Sequence, residues 1–376
     1  MNELILLLDE ISNPPLKRRV GENYIHFVSS QLNQYKTWAK KLQSTFLNEF
    51  GDIDSTLYRI DDICHDLLES QTFYLEGRPG AAYQLLAEMI ENNLSSTFDL
   101  TSANLEDILF RVRVSDEHFE SKGDIFHIRF QERTKVTSYR FSIPGLPCLY
   151  LSGSLYTCWK EVNSPPLHRL RCSGFAIRPG KSLKLLDLRN PIQRFRRLLA
   201  NKDSRLFVDF LDDVKRIMKV WPLIIVTMIK VLHPNDPFKP EYSLSQLLLE
   251  WVREQEIYDG IAYTSTKALQ LNVANSVLFD VNVAFPAKSI NDHGLCESLC
   301  SYFLVTFPEA WDLLRQSKKG RASAKNDKYE IIRGSFESYQ NSEFDLVQNA
   351  IEDRLFYDIN YGFESGFPRT TINSTD

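Results

Sequence analysis

Apolar residues recur at three- and four-residue intervals through most of the first 110 positions. The stretches YIHFVSSQLNQYKTWAKKLQSTFLNEF (24–50) and GAAYQLLAEMIENNL (80–94) show this spacing clearly, and it is typical of amphipathic helices. The pattern predicts a helical N-terminal domain over residues 1–115. The polar segment DEHFESKGD (116–124), which closes on a glycine, marks its boundary with the next part of the chain.

After residue 124 the apolar positions form short or alternating runs, as they do in β-strands. Runs of this kind are IFHIRF (125–130), PCLYLS (147–152), GFAIR (174–178) and LKLLDL (183–188). Helical spacing returns over 190–219, and strand-like composition follows in WPLIIVTMI (221–229), DGIAYTS (259–265) and SVLFDVNVAF (276–285). We therefore predict an α+β core of mixed short strands and helices over 124–290, with a C-terminal helical extension over 291–376.

Composition and charge narrow the functional classes. The 376 residues are 43% hydrophobic and 25% charged, and the net charge is −5, so no positive field favours a nucleic-acid partner. The longest apolar run, residues 220–232, is interrupted by Lys230 and is shorter than the ~20 residues that span a bilayer. The N-terminal apolar run lacks a preceding basic region. We expect a cytoplasmic protein without a membrane partner.

The cysteine pattern does not predict a metal site or a disulfide framework. The chain has six cysteines and no CxxC pair, which favours reduced, partly buried thiols in a protein without an export signal. His293, Cys296 and Cys300 in HGLCESLC come nearest to a ligand spacing, but no fourth ligand is apparent. We expect these cysteines to lie on one helix face.

Two stretches combine residue types that suit a phosphate-containing ligand. FHIRFQERTKVTSYRFSIPGLPCLYLS (126–152) contains Arg129, Arg133 and Arg140, and arginine binds phosphate in a bidentate manner. In the following SLYTCWKE (154–161), Ser154 is a suitable helix cap, which places Glu161 about two turns into a helix. Arg133 is expected to be structural or peripheral.

The later stretch YDGIAYTSTK (258–267) predicts a short strand that ends in a Thr-Ser pair. The two stretches together indicate a dinucleotide ligand. They offer arginines for phosphate, an aromatic ring for a planar base, a carboxylate for a cation and a hydroxyl for a sugar. The chain has no G-x-G-x-x-G motif after a strand, which argues against a Rossmann site. Taken singly, each of these residues also fits an ordinary structural role, so the prediction depends on the whole set.

This ordered set resembles the RES domain, a family named for its arginine, glutamate and serine. The resemblance extends from FHIRF through RFSIPGLPCLYLSGSLYTCWKE to YDGIAYTST, within residues 124–290. It implies an ADP-ribosyltransferase-like fold and an NAD-consuming toxin of a bacterial toxin–antitoxin pair. The family's functional positions match Arg129, Arg140, Tyr150, Glu161 and Ser265.

Other positions agree with the family or depart from it. The segment FKPEYSLSQLLLEWV (238–252) is similar to the family stretch before the serine strand, with Glu241, Tyr242 and Gln246 in place. Many members have a tyrosine before the first arginine and a proline before the serine, where this chain has Ile128 and Thr264. These departures leave the matched arginine, tyrosine, glutamate and serine residues in place. They affect the expected contacts with the substrate.

The resemblance implies a role for each matched residue. Glu161 would stabilise the oxocarbenium-like charge when nicotinamide leaves the ribose. Arg129 and Arg140 would bind the pyrophosphate, and Tyr150 would stack on the nicotinamide ring. Ser265 would position the ribose or the carboxamide. Glu161, Arg129 and Ser265 are thus the predicted catalytic residues, and NAD is the predicted substrate, with no metal.

Three functions remain open from the sequence. The first is an NAD glycohydrolase or phosphorylase, with water or inorganic phosphate as acceptor. The second is ADP-ribosyl transfer to a protein, and the third is an inactive NAD-binding or protein-interaction module. The family implies an antitoxin partner, and an oligomer is compatible with the sequence. The N-terminal helices either restrain the enzyme or cover an apolar face of the core.

Overall fold

The computed structural model describes residues 10–11, 14–50, 54–94, 99–101, 108–190, 192, 207–268, 280–318, 339 and 342–361. The chain forms two compact units that are each discontinuous in sequence. The first comprises Met1–Asp99, Ser138–Phe141 and Leu186–Gln255, and the second comprises Leu100–Thr137, Ser142–Leu185 and Glu256–Asp376. The domains predicted from sequence were continuous segments, whereas here the helices of the first hundred residues belong with residues 186–255.

The first unit is helical. Its helices are α1 (Tyr24–Phe50), α2 (Asp54–Leu75), α3 (Pro79–Asn93), α5 (Phe207–Thr227) and α6 (Ser243–Glu254). The three- and four-residue spacing in α1 puts one apolar face inside the unit, and its buried residues include Val28, Leu32, Tyr35, Ala39 and Leu42. Tyr35, Trp38 and Trp221 stack with ring centroids 5.7 to 6.4 Å apart, which joins α1 to α5.

The second unit is built on an antiparallel sheet. Its strands are β2 (Leu109–Val114), β3 (Cys148–Ser152), β4 (Leu170–Ile177), β6 (Gly260–Thr264), β7 (Val281–Pro286), β8 (Phe303–Val305) and β9 (Glu309–Ala310). The order across the sheet is β6-β7-β3-β2-β4-β8, and β9 pairs with β4. Two further strands, β1 (Asp99–Thr101) and β5 (Lys184–Leu188), lie where the division between units falls.

Helices of the second unit are α4 (Leu155–Glu161), α7 (Glu297–Tyr302), α8 (Trp311–Lys318) and α9 (Glu343–Tyr361). Alternate strand residues enter two cores, since successive side chains point to opposite faces of a sheet. The lower core includes Leu149, Leu151, Phe175, Val281 and Val283. The upper core includes Phe110, Cys158, Cys172, Trp311 and Phe344.

The chain is therefore an α+β protein, as predicted, but several elements differ from the expected ones, among them β8 and β9, which lie in the region predicted as a C-terminal helical extension. Residues 125–130, predicted as a strand, form no strand: Ile125 ends the 3-10 segment Lys122–Ile125, Phe130 begins the 3-10 segment Phe130–Lys135, and 126–129 connect the two. Residues 221–229, also predicted as a strand, continue helix α5 through Pro222 up to Thr227. This run is buried almost all round, and apolar periodicity does not distinguish such a helix from a buried strand. Strand β2 begins inside the region predicted as helical.

Candidate active site

Glu161 is the last residue of helix α4, which follows β3 directly. Ser154 caps the helix, as predicted, because its Oγ accepts a hydrogen bond from the backbone N of Thr157 at 3.1 Å. Asn163 and Ser164 after the helix have φ values of 65° and 53°. These left-handed residues turn the chain sharply away immediately after the carboxylate, so Glu161 stands at an abrupt helix end.

The structure brings Glu161 and Ser265 together, although 104 positions separate them in the sequence. The hydroxyl of Ser265 donates to Oε1 of Glu161 at 2.6 Å. The same oxygen accepts a second hydrogen bond at 2.6 Å from Nδ2 of Asn282, on β7. Ser265 and Asn282 are buried, while 31% of the Glu161 side chain is exposed. The carboxylate is therefore anchored through one oxygen and reaches solvent.

Asn282 is linked in turn to strand β3. Its Oδ1 accepts a hydrogen bond of 2.6 Å from the hydroxyl of Ser152, which is its direct partner in the β3–β7 register. Neighbouring residues Val281, Val283 and Leu151 point into the lower core, so Asn282 and Ser152 occupy the opposite face of the sheet. Asn282 was not among the residues predicted from sequence.

Lys267 fixes the loop that carries Ser265 to the end of α4. Its Nζ donates to the backbone O of Glu161 at 2.8 Å and to Oδ1 of Asn163 at 3.1 Å. Nζ lies 3.8 Å from Oε2 of Glu161, which is longer than a hydrogen bond. Lys267 thus binds the last turn of the helix and adds a positive charge beside the carboxylate.

Tyr150 lies on the same sheet face as this cluster. It is two residues before Ser152 on β3 and pairs with Ala284, two residues after Asn282 on β7, so the three polar side chains share one side of the sheet. Burial, and secondly the nearby Cys148, raise the pKa of Tyr150 well above its ordinary value. Its phenol is therefore neutral and suited to stacking or to hydrogen bonding.

Arg111 on β2 is a further cation beside Tyr150 that the sequence prediction missed. Its Nη1 donates to the backbone O of Tyr150 at 2.7 Å, while its buried Nε has no hydrogen-bond partner among the described residues. Burial, and secondly the positive charge of Arg113, lower the pKa of Arg111 to about 9. The guanidinium of Arg111 is therefore only partly paired among the described residues.

Arg129 is held by an acid close to it in sequence. Both of its Nη atoms donate to Oδ1 of Asp124, at 3.2 and 3.1 Å. The Arg129 side chain is 27% exposed, so part of the guanidinium faces solvent. Its neighbour Arg133, expected to be peripheral, donates to the backbone O of Gly145.

Arg140 belongs to the first unit, where backbone carbonyls surround its guanidinium. It is 7% exposed, and it donates to the carbonyl oxygens of Thr227 at 2.5 Å and Ile229 at 2.7 Å. Its guanidinium also lies 5.2 Å from the centre of the Tyr242 ring. These contacts favour a structural role at the end of α5, and phosphate binding by Arg140 stays a prediction. Gln246 donates to the hydroxyl of Ser138 in the same unit.

Comparison with known proteins agrees with the resemblance seen in the sequence. The RES domain model matches residues 108–296, a range that begins just before β2 and includes Arg111 as well as Glu161, Ser265 and Asn282. A protein of Bacillus subtilis (strain 168) named "Putative toxin YopC" is 29% identical over 350 residues, which cover 89% of this chain and 77% of that protein. No solved structure matches the chain. Within the described residues, no helix is long and apolar enough to cross a membrane.

Proposed function

Since the chain belongs to the RES domain family, we propose that it is an enzymatic toxin that cleaves the nicotinamide–ribose bond of NAD. The family match and the similarity to a protein named as a toxin support the toxin assignment. The observation that supports the reaction most directly is the anchoring of Glu161 by Ser265 and Asn282 through a single oxygen.

This arrangement suits a glycosidic bond whose leaving group is already cationic. When the C–N bond breaks, its electron pair goes to the nicotinamide nitrogen, so the leaving group needs no proton. The ribose is left with oxocarbenium character, which a fixed carboxylate stabilises. Because Ser265 and Asn282 both bind Oε1 of Glu161, Oε2 is the oxygen directed to the sugar in this proposal.

The remaining residues of the site bind the substrate in this proposal. Tyr150 stacks on the nicotinamide ring, and Arg129, with its partly exposed guanidinium, binds the pyrophosphate. Arg111 adds a second cation close to Tyr150. The hydroxyl of Ser265 acts chiefly by orienting Glu161, since it already donates to that carboxylate. Water or inorganic phosphate then captures the ribose carbon.

The partner of such a toxin is an antitoxin protein that restrains it in the producing cell. An enzyme that consumes NAD harms its own host, so its activity needs restraint. In this proposal the helices of the first hundred residues either bind the antitoxin or take its place.

Product analysis tests the proposed reaction. The purified full-length chain is incubated with NAD, with and without inorganic phosphate, and the products are separated by chromatography. Free nicotinamide with ADP-ribose identifies a glycohydrolase, and nicotinamide with ADP-ribose 1-phosphate identifies a phosphorylase. Radiolabel transferred from NAD to protein would instead identify an ADP-ribosyltransferase. Unchanged NAD in every reaction would contradict the proposal and favour an inactive binding module.

A further inference from the structure

Asn282 is a polar side chain in an otherwise apolar strand. It is 3% exposed, and its neighbours Val281 and Val283 are fully buried. A buried amide without partners is costly, yet both ends of this one are paired, each at 2.6 Å, to Glu161 and to Ser152. An apolar residue could fill the same space, so packing alone does not explain why this position carries an amide.

The partners determine which way the amide points. A carboxylate only accepts hydrogen bonds, so the NH₂ group of Asn282 faces Glu161. The carbonyl oxygen then faces Ser152, whose hydroxyl donates to it at 2.6 Å. Without the Ser152 hydroxyl, the buried amide oxygen would lose this donor, and of these two contacts only the one at the NH₂ end would still hold the amide.

We propose that Asn282, oriented by Ser152, is a positioning residue that holds Oε1 of Glu161 and thereby directs Oε2 to the substrate ribose. This inference rests on the proposed NAD-cleaving function. Asn282 and Ser152 act through Glu161 and need not touch the substrate. In this proposal the hydroxyl of Ser152 affects turnover from the end of β3, the strand that leads directly into the helix of Glu161.

A matched pair of substitutions isolates the Ser152 hydroxyl. Ser152→Thr and Ser152→Val each add bulk at the same buried position and have nearly the same shape, but only threonine keeps the donor. We expect Ser152→Val to lower kcat for NAD at least ~10-fold relative to Ser152→Thr, because small displacements of a catalytic group are costly. The Michaelis constant should be similar in the two variants. Equal kcat values would overturn the inference.

A second readout does not depend on NAD turnover. In the folded full-length chain, the side-chain amide NMR signals of Asn282, assigned by their loss in Asn282→Asp, should be slow to exchange because the NH₂ group binds a carboxylate. Exchange should remain slow in Ser152→Thr and become faster in Ser152→Val. Equally slow exchange in both variants would contradict the orienting role of Ser152. If the wild-type protein does not cleave NAD, the proposed function fails while this amide measurement still tests the contact.

Discussion

Acidification should destabilise the second unit through His127, whose contacts fit only the neutral imidazole. Its Nδ1 lies 2.7 Å from the backbone O of Ile128, and its Nε2 accepts a hydrogen bond of 2.9 Å from the backbone N of Cys296. The proton is therefore on Nδ1, and a second proton on Nε2 would face the N–H of Cys296. Burial, and the positive charges of Arg111 and Arg113, lower the pKa of His127 to about 4.

The size of the effect follows from proton linkage. The pKa falls from 6.5 in the unfolded chain to about 4 in the folded one, which corresponds to about 3 kcal/mol. Between these values the unfolded state binds more protons, so the free energy of unfolding rises with pH. The contribution of His127 is complete above about pH 6.5 and is lost progressively as the pH falls towards 4.

Urea denaturation of wild type and His127→Gln at pH 7.0 and pH 4.5 measures this contribution. Glutamine retains an oxygen acceptor for the N–H of Cys296 but does not titrate. The pH step should lower the free energy of unfolding of the wild type by about 2 to 3 kcal/mol more than that of the variant. His168→Gln, at an exposed histidine, is the control and should keep the wild-type dependence. The same pH dependence in wild type and His127→Gln would refute this reasoning.

Two other substitutions test binding and packing. Arg129→Ala should raise the Michaelis constant for NAD as well as lower kcat, because pyrophosphate is held in the ground state and the transition state alike. Steady-state kinetics check this, and an unchanged Michaelis constant would count against Arg129. Gly174→Ala should lower the free energy of unfolding by about 1 to 3 kcal/mol, since an added Cβ would lie 2.8 Å from Cδ1 of Leu355. Gly80→Ala, with nothing within 4 Å of the added atom, is its control in urea denaturation, and equal stability of the two variants would argue against the crowding.

Local signals predicted the helix that carries Glu161 and the strand before Ser265. A serine cap followed by LYTCWKE gave the start of α4 and placed Glu161 two turns later, and both features depend on nearby residues only. The strand before Ser265 was predicted from its short apolar run between a glycine and a polar pair. The hydrogen bond between Ser265 and Glu161 could not be derived in this way, because it depends on how strands distant in sequence pair.

Residues in β2 and β7 show what the sequence pattern could not supply. Arg111 lies in LFRVRV, a run between a helical region and a polar linker. Its contact with the backbone of Tyr150 depends on the place of β2 in the sheet, where β2 pairs with β4. The sequence pattern does not show that pairing. Asn282 interrupts the apolar run VNVAFP, a signal that identifies a special position but not its partner. The register between β3 and β7 supplies that partner.

Two helix and strand assignments failed for physical reasons. The run at 221–229 was predicted as a strand from its largely apolar, β-branched composition, yet residues 221–227 extend a helix and are buried on every side. IFHIRF alternates like a strand, but His127 uses both ring nitrogens to bind loop backbone. In both cases tertiary contacts outweigh local preference.

Release of nicotinamide by wild type and by Glu161→Gln tests the central claim most directly. Glutamine has almost the same volume and keeps an oxygen for Ser265 and Asn282, but it removes the negative charge that stabilises the ribose cation. We predict that Glu161→Gln still binds NAD in a calorimetric titration but releases nicotinamide at least ~10²-fold more slowly. The exposed Glu117 provides the control substitution Glu117→Gln, which should retain the wild-type rate. Nicotinamide release at the wild-type rate by Glu161→Gln would contradict the account.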